Sequence, residues 1–63
     1  MSSTEAVQQC IQQCQQTAGQ LRSMAQPEPN PQVKTMLNEA AHHLDLCVVE
    51  CQYSVQQLSA SGR

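Results

Sequence analysis

Four cysteines are the residues of this chain whose type and spacing could do chemistry. They form two pairs, Cys10 with Cys14 and Cys47 with Cys51, and each pair has the form C-x-x-x-C. On a helix this spacing places both thiols of a pair on one side, one turn apart. The sequence therefore predicts a cluster of four sulfurs if the two segments are helices that pack together.

The two pairs lie symmetrically about the sequence Asn30-Pro31. If the chain folds back there, an antiparallel arrangement sets Cys10 opposite Cys51. The same arrangement sets Cys14 opposite Cys47. Facing Cα atoms of two packed helices lie roughly 4 to 5 Å apart, which overlaps the window for a disulfide. The same sulfurs could instead hold a metal, because soft thiolates suit Cu(I), Zn²⁺ and iron–sulfur clusters.

His43 extends the same pattern by one helical turn, because it lies four residues before Cys47. The position opposite it in the antiparallel arrangement is Ala18, whose small side chain leaves room for an imidazole. We therefore add His43 to the predicted metal ligands, against the alternative of a partly exposed helical histidine. His42 points about 100° away and is expected to be solvated.

Two helices separated by a proline-rich turn are predicted to position these residues. The first covers 3–26 and follows Ser2, which with Glu5 has the form of a capping box. Three prolines within 27–31 end it. Asn30 suits the N-cap of a second helix over 31–59, which stops before Gly62.

Apolar residues recur at helical spacing in both segments and predict the contact face of each helix. In the first helix the predicted face consists of Val7, Cys10, Cys14, Thr17, Leu21 and Met24, widened by Ile11, Ala18 and Ala25. In the second it consists of Val33, Leu37, Ala40, Leu44, Cys47, Cys51, Val55 and Leu58, flanked by Met36, His43 and Val48. Gly19 either weakens the first helix or permits a close helix approach.

The chain is short for an independent fold, with 63 residues, no Trp or Phe and a single Tyr. Chains of this size usually need a staple, a metal or a partner. We expect an all-α fold, an antiparallel two-helix hairpin forming a single domain over residues 1–63. Self-association as a dimer would give a four-helix bundle.

The charge distribution excludes several classes of partner. The net charge is −2 with only three basic residues, so neither a nucleic-acid face nor a polybasic membrane patch is expected. No apolar run approaches the ~20 residues that span a bilayer. The N-terminus lacks the features of a secretory signal, and a cytoplasmic protein is expected. Glu39, Asp45 and Glu50 are interpreted as a solvated acidic face.

The residues 10–14 (Cys-Ile-Gln-Gln-Cys) and 43–51 (His-Leu-Asp-Leu-Cys-Val-Val-Glu-Cys) resemble bacterial copper-binding four-helix-bundle proteins. That resemblance implies that Cys10, Cys14, Cys47 and Cys51 bind Cu(I). The paired C-x-x-x-C motifs also resemble twin C-x-x-x-C helical hairpins, which include small mitochondrial intermembrane-space chaperones and secreted α-hairpin peptides. This second resemblance implies two nested disulfides.

We therefore expect a protein that binds a soft metal, copper(I) first and zinc second, for buffering, storage or delivery. The alternative is a disulfide-stapled hairpin that acts as a structural module or binds a protein partner. A redox sensor, in which oxidation locks the hairpin, is a third hypothesis. No nucleophile–base–acid set and no phosphate-binding loop can be recognised, so the chain is not expected to be an enzyme.

Overall fold

Two helices account for nearly all of the chain in a computed structural model, which describes residues 3–60. Helix α1 spans Ser3–Ala25 and helix α2 spans Pro31–Ala60, and no strand occurs among these residues. The prediction of an all-helical fold is confirmed. The predicted ranges 3–26 and 31–59 differ from these by one residue at each C-terminal end. The capping residue Ser2 and the stop at Gly62 lie outside the described residues.

Hydrogen bonds in the short connection explain why α2 begins where it does. The side-chain oxygen of Asn30 accepts hydrogen bonds from the backbone N–H of Gln32, at 2.9 Å, and of Val33, at 3.2 Å. These bonds satisfy two donors that a helix start leaves unpaired. The carboxylate of Glu28 in turn accepts from the backbone N–H of Asn30, at 3.1 Å. The prediction of Asn30 as N-cap is confirmed.

The two helices pack against each other through small side chains. Ala18, Ala25 and Ala41 are 2%, 1% and 0% exposed, and Val48 is the other buried residue among those described. None of the large side chains in that range is fully buried. Alanines allow two backbones to approach closely, but they bury little apolar area, so the helix pair has a thin core.

The faces in contact differ in part from the predicted ones. In α1 the buried and half-buried residues are Thr4, Val7, Ile11, Cys14, Ala18, Leu21 and Ala25. In α2 the corresponding residues are Leu37, Ala41, Leu44, Val48, Cys51, Val55 and Leu58, with Asp45 and Cys47 half-buried beside them. The predicted contact residues Cys10, Thr17, Met24, Val33 and Ala40 are exposed.

The physical reason for this difference is the alanine content of the neighbouring positions. Ala18 and Ala41 directly follow Thr17 and Ala40, so the apolar stripe is wide enough to allow two contact columns. Helices that meet at alanines come closer than helices that meet at larger side chains, and they gain dispersion contacts along their length. The stripe of residues that contains Ala18, Ala25 and Ala41 is therefore buried between the helices.

An ion pair joins the helices on one side of this contact. Arg22 donates two hydrogen bonds to Asp45, from Nη1 to Oδ1 at 3.4 Å and from Nη2 to Oδ2. Asp45, which was predicted to belong to a solvated acidic face, is about half exposed and in addition pairs with the other helix. The Arg22 hydrogen bond lowers the pKa of Asp45, and the bond to Asp45 raises the pKa of Arg22. Both side chains are about half exposed, so the pair contributes more to orientation than to stability.

The described part of the molecule is long and narrow, with extents of 49 × 17 × 10 Å. Neither α1 nor α2 contains a stretch that is apolar over the length needed to cross a bilayer.

Gly19→Ala is expected to stabilise the protein. A Cβ atom at Gly19 would have nothing within 4 Å, so this glycine is not required for helix approach. Replacing it removes the entropic cost of glycine in a helix, about 0.5–1 kcal/mol. Thermal unfolding followed by circular dichroism should show a melting temperature higher by roughly 2–8 °C. An unchanged or lower melting temperature would contradict the open environment of Gly19.

Ala41→Leu is expected to destabilise the helix pair by about 1–3 kcal/mol, because the larger side chain would overpack a fully buried position. The matched control is Ala40→Leu, which adds the same atoms at the exposed neighbouring position and should change stability by no more than about 0.5 kcal/mol. Urea unfolding of both variants measures the difference. Equal effects would show that Ala41 is not the contact position.

Candidate functional site

Two cysteines from different helices come close together. The Sγ atoms of Cys14 in α1 and Cys47 in α2 are 4.0 Å apart, and the Cys14 thiol donates a weak hydrogen bond to the Cys47 sulfur. Both side chains are half-buried. Their positions in the sequence predicted that these two residues lie opposite each other, and the structure brings their sulfur atoms into contact.

The other two cysteines lie one helical turn from this pair. Cys51 is half-buried on α2, and the side chain of Cys47 contributes to the raised pKa of its thiol. Cys10 is exposed on α1, one turn before Cys14. Cys10 nevertheless interacts electrostatically with both Cys14 and Cys51. The four thiols therefore lie within two helical turns of one another, with Cys14 and Cys47 in contact.

The pKa values of two thiols are raised by this environment. Burial is the main cause for both Cys14 and Cys51, and each also has a hydrogen bond with Cys47 that raises its pKa further. Repulsion from the neighbouring thiolates acts in the same direction. Both groups are therefore protonated near neutral pH, and any ligand that needs thiolates must displace protons.

The four cysteines are free thiols, and within residues 3–60 no three side chains of His, Cys, Asp or Glu are grouped so that they could hold one metal ion. His43 is exposed, and its ring centroid lies 6.3 Å from that of His42. The structure thus brings Cys47 together with Cys14 and Cys51, but it does not gather the predicted five ligands at one point. The assignment of these residues as metal ligands stays a prediction.

The sulfur separation indicates what the pair could do. A disulfide requires about 2.05 Å between the sulfur atoms, so these thiols are in contact but not bonded. Two thiolates held at about 2.3 Å from one tetrahedral metal ion are about 3.8 Å apart. The observed 4.0 Å is therefore close to the spacing of two ligands of one soft metal ion.

Sequence reasoning missed the ion pair between Arg22 and Asp45, which lies on the same helix contact as the thiols. The positions of the two residues could have predicted this ion pair, because Arg22 directly follows the contact residue Leu21 and Asp45 directly follows the contact residue Leu44. Residues at such positions border the contact face, where long side chains meet across a helix pair.

No protein-family model matches this chain, and neither the curated proteins nor the solved structures include a significant match. The two resemblances described above therefore remain predictions that rest on the cysteine motifs alone.

The reduced protein is expected to lose stability at alkaline pH because of its buried thiols. A raised pKa in the folded state means that the unfolded chain releases thiol protons first. The contribution is fully present below the ordinary thiol pKa, near pH 8.5, and is lost as pH rises through the folded-state value. Melting temperatures measured from pH 7 to 10 with a reductant should fall less in Cys14→Ser than in the parent chain.

The control for this measurement is Gln13→Ser, which changes an exposed neighbour and leaves the thiols in place. It should follow the pH dependence of the parent chain. If Cys14→Ser loses as much melting temperature as the parent between pH 8 and pH 10, the thiol at position 14 is not responsible.

Proposed function

We propose that this chain binds a soft metal ion through its cysteine thiolates and serves in metal buffering, storage or delivery. The observation that carries the proposal is the pair of sulfur atoms 4.0 Å apart on two different helices. Cys51 and Cys10 lie one turn away and supply further thiolates.

Copper(I) is the preferred ion and zinc the second. Structural zinc sites take four ligands in a tetrahedron, whereas Cu(I) is satisfied by fewer soft thiolates. The described residues of one chain provide a close thiol pair and no group of three donors. This donor set favours the ion that needs the smaller number of ligands.

Binding is proposed to proceed by replacement of thiol protons with the metal ion. Deprotonated Cys14 and Cys47 would hold the ion and thereby link α1 to α2. Two protons are released if two thiols bind, so affinity should rise roughly a hundredfold for each pH unit below the thiol pKa. His43 is exposed and lies one turn before Cys47, and we propose that its imidazole is a further ligand of the ion.

The scaffold for this site is proposed to be an antiparallel hairpin. Two contacts support that direction: Cys14 meets Cys47, and Arg22, further along α1, meets Asp45, which is earlier in α2. Such a pair leaves its thin core partly exposed, so we further propose that two hairpins associate as a four-helix bundle. A site that binds metal through reduced thiols needs a reducing compartment, so the cytoplasm is the proposed location.

Replacement of Cys14 should lower metal affinity and metal-dependent stability together. Anaerobically reduced protein is titrated with Cu(I), and in parallel with Zn²⁺, against a chromogenic chelator. The parent chain should bind at a fixed ratio and melt at a higher temperature when loaded. Cys14→Ser should lose at least tenfold in affinity, which corresponds to about 1.4 kcal/mol of binding free energy.

Gln13→Ser is again the matched control, since it alters the same turn of α1 without removing a sulfur atom. It should bind metal like the parent chain. Equal metal affinity in the parent chain and Cys14→Ser would contradict the proposal, as would the absence of any Cu(I) or Zn²⁺ binding.

The second candidate is a disulfide-stapled hairpin that serves as a structural module or binds a protein partner. The observation that favours it is that the closest sulfur atoms belong to different helices, so a bond between them would staple the hairpin. Mass spectrometry of the protein isolated without reductant separates the two functions. A metal-free mass lower by four hydrogens would favour two disulfides and would count against metal binding.

A further inference from the structure

The two edges of the helix contact differ in charge. Arg22 and Asp45 form an ion pair on one edge, and each directly follows a contact residue in sequence. The residues that directly precede Ile11, Ala18 and Ala25 in α1, and Ala41, Val48 and Val55 in α2, lie on the opposite edge, because successive residues are rotated by about 100°. This opposite edge, called here the thiol edge, consists of Cys10, Thr17 and Met24 in α1 and Ala40, Cys47 and Ser54 in α2.

The thiol edge is uncharged and largely open. None of its six residues carries a charge. Met24 is 58% exposed, and Met36, which lies one turn before Ala40, is 66% exposed. Beside them an open apolar groove of about 430 Å³ is lined by Gln32, Val33, Met36, Leu37 and Ala40. Exposed methionines beside an apolar groove are a feature of interaction surfaces.

Two observations identify a second copy of this chain as the partner for the thiol edge. Alanines and one valine are the only buried apolar residues among those described, so a single hairpin buries little apolar area. In addition, no three donor side chains are grouped within residues 3–60, so any third or fourth thiolate bound to the ion that Cys14 and Cys47 hold would come from elsewhere. A second copy supplies both the missing apolar contact and the missing thiols.

The position of the thiols along the hairpin makes this pairing productive. Cys14 is the middle residue of α1 (Ser3–Ala25), and Cys47 lies two residues from the middle of α2 (Pro31–Ala60). Closed dimers use a two-fold axis. A two-fold axis that pairs two thiol edges can lie along the helices or cross them at mid-height. In both cases the residues at mid-height in one copy lie near the same residues of the other copy.

We infer that the thiol edge of one chain docks on the thiol edge of a second copy, and that thiols from both copies complete one shared metal site. This inference rests on the proposed metal-binding function and specifies where the remaining ligands come from. The interface itself requires no metal, so the dimer and the metal can be tested separately.

The first test disturbs the interface without touching a thiol. Thr17→Glu places a carboxylate in the middle of the thiol edge, whereas Gln15→Glu places one at nearly the same height on the charged edge. Sedimentation of the reduced protein should show a dimer for the parent chain and for Gln15→Glu. Thr17→Glu should raise the dimer dissociation constant at least tenfold, about 1.4 kcal/mol, and should lower Cu(I) affinity in parallel.

Three results would overturn the inference. The first is a parent chain that is monomeric both with and without Cu(I). The second is equal dissociation of the two variants. The third is a monomeric Thr17→Glu chain that binds Cu(I) with unchanged affinity, which would leave the proposed function standing and remove the shared site.

The second test works without metal. A single-cysteine chain that retains only Cys47, which lies on the thiol edge, is treated with diamide, which accepts two protons and two electrons as two thiols become one disulfide. This chain should form a linked dimer faster than a control by roughly two orders of magnitude, as expected for thiols held at high effective concentration. The control uses Gln52→Cys in a cysteine-free chain, because this position lies on the charged edge.

Rates no faster than the control would overturn the shared thiol interface whatever the metal measurements show. Fast cross-linking together with a failure to bind Cu(I) or Zn²⁺ would instead remove the proposed function and keep the interface. The two failures are therefore distinguishable.

Discussion

The close approach of α1 and α2 at alanine positions is the constraint on which the rest of this structure depends. Ala18, Ala25 and Ala41 are almost completely buried, and they bring the two helices near enough for short side chains to meet. Cysteine is such a side chain. The three alanines lie between the turn and the contact of Cys14 with Cys47, and the helices that meet at them bring these two short side chains together.

This arrangement has opposite consequences for stability and for chemistry. A contact built from alanines buries little apolar area, so the helix pair gains less from the hydrophobic effect than a pair packed through leucines. The same contact leaves space for sulfur atoms between the helices and raises the pKa values of Cys14 and Cys51 by burying them. A metal ion that displaces their protons would add the link between the helices that the thin core does not provide.

The sequence allowed prediction of the helices, the turn and the N-cap, because prolines and Asn30 act locally. It also indicated that Cys14 and Cys47 would meet, since both lie equally far from the turn. The contact face was predicted only in part. Apolar residues occupy neighbouring positions on each helix, and sequence periodicity does not determine which of them lets the two backbones approach more closely. The ion pair of Arg22 with Asp45 depends on that face, and it was missed for the same reason. The ligand set depends on side-chain convergence, which spacing along a helix does not determine.

X-ray absorption spectroscopy of the protein loaded with Cu(I) under anaerobic conditions tests the central claim most directly, because it reports the atoms bound to the metal. The account predicts a first shell dominated by sulfur, which loses sulfur in Cys14→Ser and Cys47→Ser. A first shell of nitrogen or oxygen without sulfur, or a protein that retains no copper, would contradict the account.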